Sequence, residues 1–350
     1  MSEPPKILGS GGYGSVTQDG NSAVKHFSKH RHLIQEVYIL AYFRDCKNIL
    51  KVRECNFDTL TMKSELWNSN LQNILKDNWS GKHKLSSTCS HAIYKSILIG
   101  LHFMHIRHTV HADIKPSNVL VSADRMSACL GDLGLSSICN KARTDLTTEV
   151  FAPKDRILHY RSHDMFGVAL IGLELLAGYR VYCSLSSKDV RQVISTSNMP
   201  PEFKNCFKAM VSENPRKCLK PGDVLQSLYN IQITNHFRPC VRLDKLLSLH
   251  SQVAIEELTK SISKIYNIYR PKRCSRCTMT LISRLPDIDF NKLRMYTIVM
   301  CFVFSSCFGN RRMKLTEILK ELGETQTTSL NAALATIAVT PEVINLMYAP

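Results

Sequence analysis

The chain has 350 residues, enough to bury a sizeable core in each of two lobes, so chain length does not limit the fold. Its formal charge of +16 favours an acidic partner; nucleotide phosphates, an acidic substrate, nucleic acid and a membrane surface all qualify. Thirteen cysteines without framework spacing, and no secretory pattern in MSEPPKILG, argue against a disulfide scaffold and for a reduced intracellular setting.

In chain order, the first signal is Gly9-Ser10-Gly11-Gly12-Tyr13-Gly14-Ser15-Val16, a G-x-G-x-x-G-x-V pattern. Glycines there let the backbone approach phosphate oxygens with no Cβ in the way. A dinucleotide-binding turn needs a helix straight after the glycines. Here Asp19-Gly20 signals a turn and Ala23-Val24-Lys25-His26-Phe27 reads as the return strand of a hairpin. Leu33, Val37, Leu40 and Ala41 then form a helical apolar stripe with Glu36 at its border. A second strand pair is predicted at about 50–57 and 59–63, a junction at Met62–Trp67, a helical stretch over 70–75, and a longer helix over 92–105.

The stretch from His111 to Gly134, HADIKPSNVLVSADRMSACLGDLG, carries the chemistry. Asp113, Asn118 and Asp132 supply two acids and an amide in an order suited to holding metal-bound phosphate beside a hydroxyl. Residues 119–122 and 127–130 read as a short hairpin that delivers Asp132. With the glycine loop and Lys25 in A-V-K, this stretch closely resembles the catalytic segment of protein kinases, H-R-D-x-x-x-x-N followed by D-F-G. It reads His-Ala-Asp and Asp-Leu-Gly at the two signature triplets.

That resemblance implies an α+β, bilobal kinase fold: a small antiparallel β N-lobe over about 1–66 and a mainly helical C-lobe over about 67–232, together the kinase domain, with a helical C-terminal extension over 233–350. It implies ATP and Mg2+ as cofactors. Gly9, Ser10, Gly11, Gly12, Tyr13, Gly14, Val16 and Ala23 would cover the nucleotide, Lys25 would pair with its phosphates and with Glu36, and Met62–Trp67 would be the hinge. Asp113 would accept the substrate hydroxyl proton, Lys115 would neutralise the transferring group, Asn118 and Asp132 would hold magnesium, and Thr147 would contact Asp113 and Lys115. Lys115 and Thr147 follow the serine/threonine pattern.

The departures have physical consequences. Ala112 replaces the arginine that in many kinases clamps an activation-segment phosphate, so activity independent of that phosphorylation is expected. Leu133 replaces the D-F-G phenylalanine, one apolar group for another. Ala152-Pro153-Lys154 stands for A-P-E, and Cys218 falls where the glutamate's arginine partner belongs; losing both ends of a buried pair is nearly neutral. Asp164 and Gly167 fit the D-x-W-x-x-G region, with Phe166 for tryptophan, and Asp164 would tie down the catalytic-loop backbone. Three more helices are predicted over 186–195, 201–211 and 221–231.

The short first lobe, the missing arginine, the degraded A-P-E and the extension look like the serine/threonine kinases encoded by herpesviruses. That resemblance implies action on host and viral proteins in the nucleus and cytoplasm of an infected cell. Further helices are predicted at 244–269, 314–322 and 330–347, and residues 271–276 form a basic cluster. The apolar run 296–308 is too short to span a bilayer, so no membrane span is expected. Cys274-x-x-Cys277 lacks a second pair for zinc, and His102, His105, His108 and His111 read as kinase positions rather than a metal cluster. The alternatives are a pseudokinase scaffold, a small-molecule kinase of nucleoside type, and a basic nucleic-acid-binding protein; nucleic-acid contact is compatible with the kinase reading but not required by it.

Overall fold

The computed structural model describes residues 6–233, apart from 12–13, 30–31, 34–35, 38, 41–42, 44–45, 57–58, 107–108, 139–148, 154–159 and 215–216. The helices predicted beyond 233, the 271–276 cluster, the 296–308 run and Cys274-x-x-Cys277 lie outside the described residues. These residues form two compact units, one within Met1–Tyr42 and Val52–Glu65, the other within Phe43–Lys51 and Leu66–Thr234.

The first unit is a five-stranded antiparallel sheet of β1 (Ile7–Gly11), β2 (Gly14–Asp19), β3 (Ser22–Phe27), β4 (Val52–Asn56) and β5 (Thr61–Glu65), in the order β1-β2-β3-β5-β4. Asp19 faces Ser22 across the two-residue turn Gly20-Asn21, and Gly20 adopts φ +53, which glycine supplies without a Cβ penalty. The register sets Val16 against Lys25 and Lys25 against Met62. Helical backbone at 32–33, 36–37 and 39–40, here α1, buries Leu33, Val37 and Leu40 of the predicted stripe, whose Ala41 lies outside the described residues. The predicted hinge Met62–Trp67 divides. Met62–Glu65 completes β5, and the chain passes to the second unit at Leu66.

In the second unit, β6 (Ser69–Asn70) precedes α2 (Leu71–Trp79), whose N-cap Asn70 accepts a hydrogen bond from the Asn73 amide at 2.9 Å. The central helix α3 (Ser87–Ile106) begins five residues before the predicted start, because Ser86 caps it by accepting from the Cys89 amide at 3.1 Å. Such polar first turns carry no apolar periodicity. Beyond α3 lie β7 (Thr109–Val110), the β8 (Val119–Val121) and β9 (Ala128–Leu130) hairpin, and β10 (Ser137–Ile138) paired with β7. The stretch 46–50 belongs to this unit because Leu50 N donates to Leu130 O and Leu130 N to Asn48 O, at 3.0 and 2.9 Å.

Helices α4 (Tyr160–Leu176), α5 (Ser187–Thr196), α6 (Pro201–Met210) and α7 (Pro221–Tyr229) complete the unit, the last three within two residues of expectation. Residues Val168–Leu173 of α4 are buried all round, as a core helix requires. Gly172 is obligatory: a Cβ there would come within 2.5 Å of the Phe207 ring, which stacks on Tyr94. Glu174 is buried near the end of α4. Its Oε1 accepts from Val181 N at 3.1 Å, its Oε2 has no partner among the described residues, and desolvation pushes its carboxyl up to about 7. No described helix is long and apolar enough to cross a membrane.

Candidate active site

The set predicted to cover the nucleotide lies in the first unit. Gly9, Ser10 and Gly11 are on β1, Gly14 and Val16 on β2, and Ala23 and Lys25 on β3. Gly14 is needed for a reason the sequence did not show. Its φ is +149 and a Cβ would collide with the His26 carbonyl on β3, so the glycine permits the strand pairing itself. Lys25 Nζ donates to both oxygens of Glu36, at 2.9 and 2.7 Å, and the Glu36 side chain is 1 % exposed. The eleven-residue spacing therefore closes the predicted ion pair, and a bidentate, nearly dry contact fixes the ammonium.

The second set occupies the segment after β7. Asp113 Oδ2 takes Lys115 Nζ at 2.7 Å and Asn118 Nδ2 at 2.9 Å. Asn118 Nδ2 also donates to the Asp113 carbonyl at 2.9 Å, which uses both amide hydrogens and leaves Oδ1 as the side chain's remaining atom for a ligand. A 3-10 turn over Pro116–Asn118 sets this reach of five residues. Asp132 has left-handed backbone, φ 53 and ψ 67, a conformation uncommon for a residue with a Cβ and characteristic of functional positions.

Two buried residues hold these segments. Asp164 on α4 accepts from His111 N at 2.9 Å, Ala112 N at 2.8 Å and His105 Nε2 at 2.8 Å. Burial alone would raise its pKa, but the hydrogen bond from His105, together with that from the His111 amide, overcomes this and holds the carboxyl below its ordinary value. Ala112 is thereby kept at φ +68, strained backbone in the segment that carries Asp113. The His111 ring spans the two acid-bearing segments, Nε2 donating to Gly131 O at 3.2 Å and Nδ1 accepting from Asp113 N at 3.3 Å. Burial lowers its pKa, which suits the neutral ring that this pairing requires.

A family model described as protein kinase domain matches residues 3–282. The chain belongs to the protein kinase family. It is 28% identical over 207 residues to a mitogen-activated protein kinase of Schizosaccharomyces pombe, covering 49% of this chain and 48% of that one. A mitogen-activated protein kinase of Pyricularia oryzae is 30% identical over 205 residues, 49% of this chain and 48% of its own. A probable cyclin-dependent serine/threonine-protein kinase of Dictyostelium discoideum is 26% identical over 221 residues, 56% of this chain and 15% of its own. The kinase spans about half, or less, of the length of these curated relatives.

Of the kinase residues predicted from sequence, Lys25 and Glu36 meet in the first unit, and Asp113, Lys115 and Asn118 meet in the second, where the His111 ring ties Asp113 to the segment of Asp132. Gly12, Tyr13 and Thr147 lie outside the described residues, as do Thr148 and Lys154. Leu133 is fully buried, so it fills the packing role of the phenylalanine it replaces. Cys218 donates its thiol to Met210 O at 2.6 Å, a small local substitute in the place of an arginine. The four-histidine series disperses: His105 binds Asp164, His111 binds Gly131, His102 lies against Gly222, and His108 is outside the described residues.

Proposed function

We propose that the chain is a protein serine/threonine kinase that transfers the ATP γ-phosphoryl group to protein hydroxyls. The observation that carries this is the Asp113–Lys115–Asn118 cluster. It presents a carboxylate as proton acceptor, an ammonium beside it, and an amide whose oxygen is left over. Asn118 Oδ1 and the Asp132 carboxylate are hard oxygen donors of the kind magnesium takes alongside phosphate oxygens, so the residues fit that metal. When bound, magnesium neutralises charge that develops on the phosphates.

The roles follow from the chemistry. Lys25, fixed by Glu36, pairs with the nucleotide phosphates, and Gly9–Gly14 with Val16 and Ala23 cover them. Asp113 accepts the proton of the attacking hydroxyl, and Lys115 balances charge on the transferring group. Neither orienting residue needs to titrate: His111 stays neutral, and Asp164 stays ionised. The test is transfer from labelled ATP with magnesium to a mixed protein substrate, comparing wild type with Lys25→Met and Asp132→Asn. Loss of signal in both variants supports the reading; equal signal in all three rules it out and leaves a scaffold.

The proposal extends to control and setting. Ala112 cannot clamp a phosphate, so the kinase works without activation-segment phosphorylation; phosphatase treatment that lowers activity severalfold would contradict this. The features shared with herpesvirus-encoded kinases support a viral source, with host and viral proteins as substrates in the nucleus and cytoplasm. Imaging of the tagged chain in transfected cells tests that placement, and exclusion from the nucleus would count against it.

A further inference from the structure

Tyr182, in the loop after α4, is 71 % exposed, yet its ring has a partner. The Arg180 guanidinium lies 4.6 Å from its centroid and 4.6 Å from the centroid of Trp79 at the end of α2. The cation lies within cation–π distance of both rings. Among the described residues no group accepts a hydrogen bond from Arg180, and the Trp79 Nε1 beside it is a buried donor without an acceptor. A planar fork of donors therefore rests against two rings with its side chain open to solvent.

The turn that follows Trp79 is cationic. The chain folds back over the end of α2, where Ser80 N, Gly81 N and His83 N donate to the carbonyls of Lys76, Asn78 and Asp77. Lys76, Lys82 and Lys84 are exposed at this helix end. Asp77 is the one acid within residues 76–84, and it stands 3.9 Å from Lys82. Glu174 also feels the Arg180 charge, from its buried position on α4. Pinning a loop to a helix would need only the stack. It would not need a guanidinium whose donors have no acceptor among the described residues.

We propose that Arg180, held against Trp79 and Tyr182, with Lys82 and Lys84 in the turn that follows Trp79, is an anion subsite that binds a carboxylate or phosphoryl group on an acidic segment of the protein substrate. The assignment rests on the kinase reading, which makes the partner a polypeptide. A preformed fork gives up little conformational freedom on binding and matches both anions bidentately. Nucleic acid is the poorer occupant, since single strands need open ring faces for stacking and the Arg180 guanidinium already lies against both rings.

The test uses the full chain and three fluorescent peptides on one serine-containing backbone, one neutral, one with glutamates and one with an additional phosphoserine. Polarisation without ATP reads binding, and steady-state kinetics with ATP read KM and kcat. The acidic peptides should bind about fivefold tighter than the neutral one, near the upper range for an exposed charge pair. Arg180→Gln should abolish that preference through KM, with kcat and the neutral peptide unchanged. Arg180→Lys should keep only part of it, and both variants should melt with the wild type. Which anion dominates follows from the glutamate and phosphoserine arms. The proposal is overturned by a wild type without acidic preference, by a preference that survives Arg180→Gln, or by Arg180-dependent binding of an oligonucleotide but not of peptide. Absence of turnover with every peptide would refute the kinase reading, while the polarisation arm would still decide the subsite.

Discussion

Glu174 makes the stability of this protein pH-dependent in a direction opposite to that of most carboxylates. Its carboxyl is held at about 7, against an ordinary 4.5, because burial disfavours the charged form and only one oxygen has a hydrogen bond. Between those values the folded protein binds a proton that the unfolded chain has released, so stability falls as pH rises, by up to about 1.4 kcal/mol per pH unit. Above pH 8 the ionised group costs the fold about 3 kcal/mol in total. Glutamine copies the protonated form and cannot ionise. Urea unfolding of wild type and Glu174→Gln from pH 4.5 to 8.5 should show near-equal stability at the acidic end and an advantage for the variant that grows toward about 3 kcal/mol at the alkaline end. A difference that stays flat across this range would refute the reasoning, since it would place the carboxyl in the same ionisation state folded and unfolded.

Asp164→Asn should lose about 3 kcal/mol, measured by denaturant unfolding, because three donors converge on its two oxygens and asparagine offers one oxygen and a competing N–H₂. The same variant should lower kcat, since Ala112 would no longer be held at its strained φ. Gly172→Ala should cost about 1 to 3 kcal/mol in the same assay, because the methyl group would be driven against the Phe207 ring. Glu36→Gln should raise the KM for ATP severalfold, as Lys25 would lose its charged partner.

The sequence was most readable where chemistry is local. The Gly9–Gly14 motif, the Lys25–Glu36 spacing and the Asp113–Asn118 reach each fall within a dozen residues, so short motifs that resemble those of kinases located them. Burial of α4 followed from its unbroken apolar run. Partnerships across the chain were less accessible. Asp164 was placed against the catalytic loop only by resemblance, and nothing in periodicity foretold that His105 would share it. His111 looked like one member of a histidine series, yet its ring links two segments twenty residues apart. Trp79 and Arg180 are separated by a hundred positions and belong to no motif, so only the fold brings them together. The two-residue strands β6, β7 and β10 are too short for any period, and their pairing partners decide them.

The central claim is that Asp113 takes the proton of a substrate hydroxyl during phosphoryl transfer. Its most direct test is kcat for phosphorylation of a serine peptide by Asp113→Asn, with nucleotide affinity measured in parallel. The account predicts that kcat falls on the order of 10²- to 10⁴-fold while ATP binding is retained. A variant that transfers phosphate at the wild-type rate would contradict it.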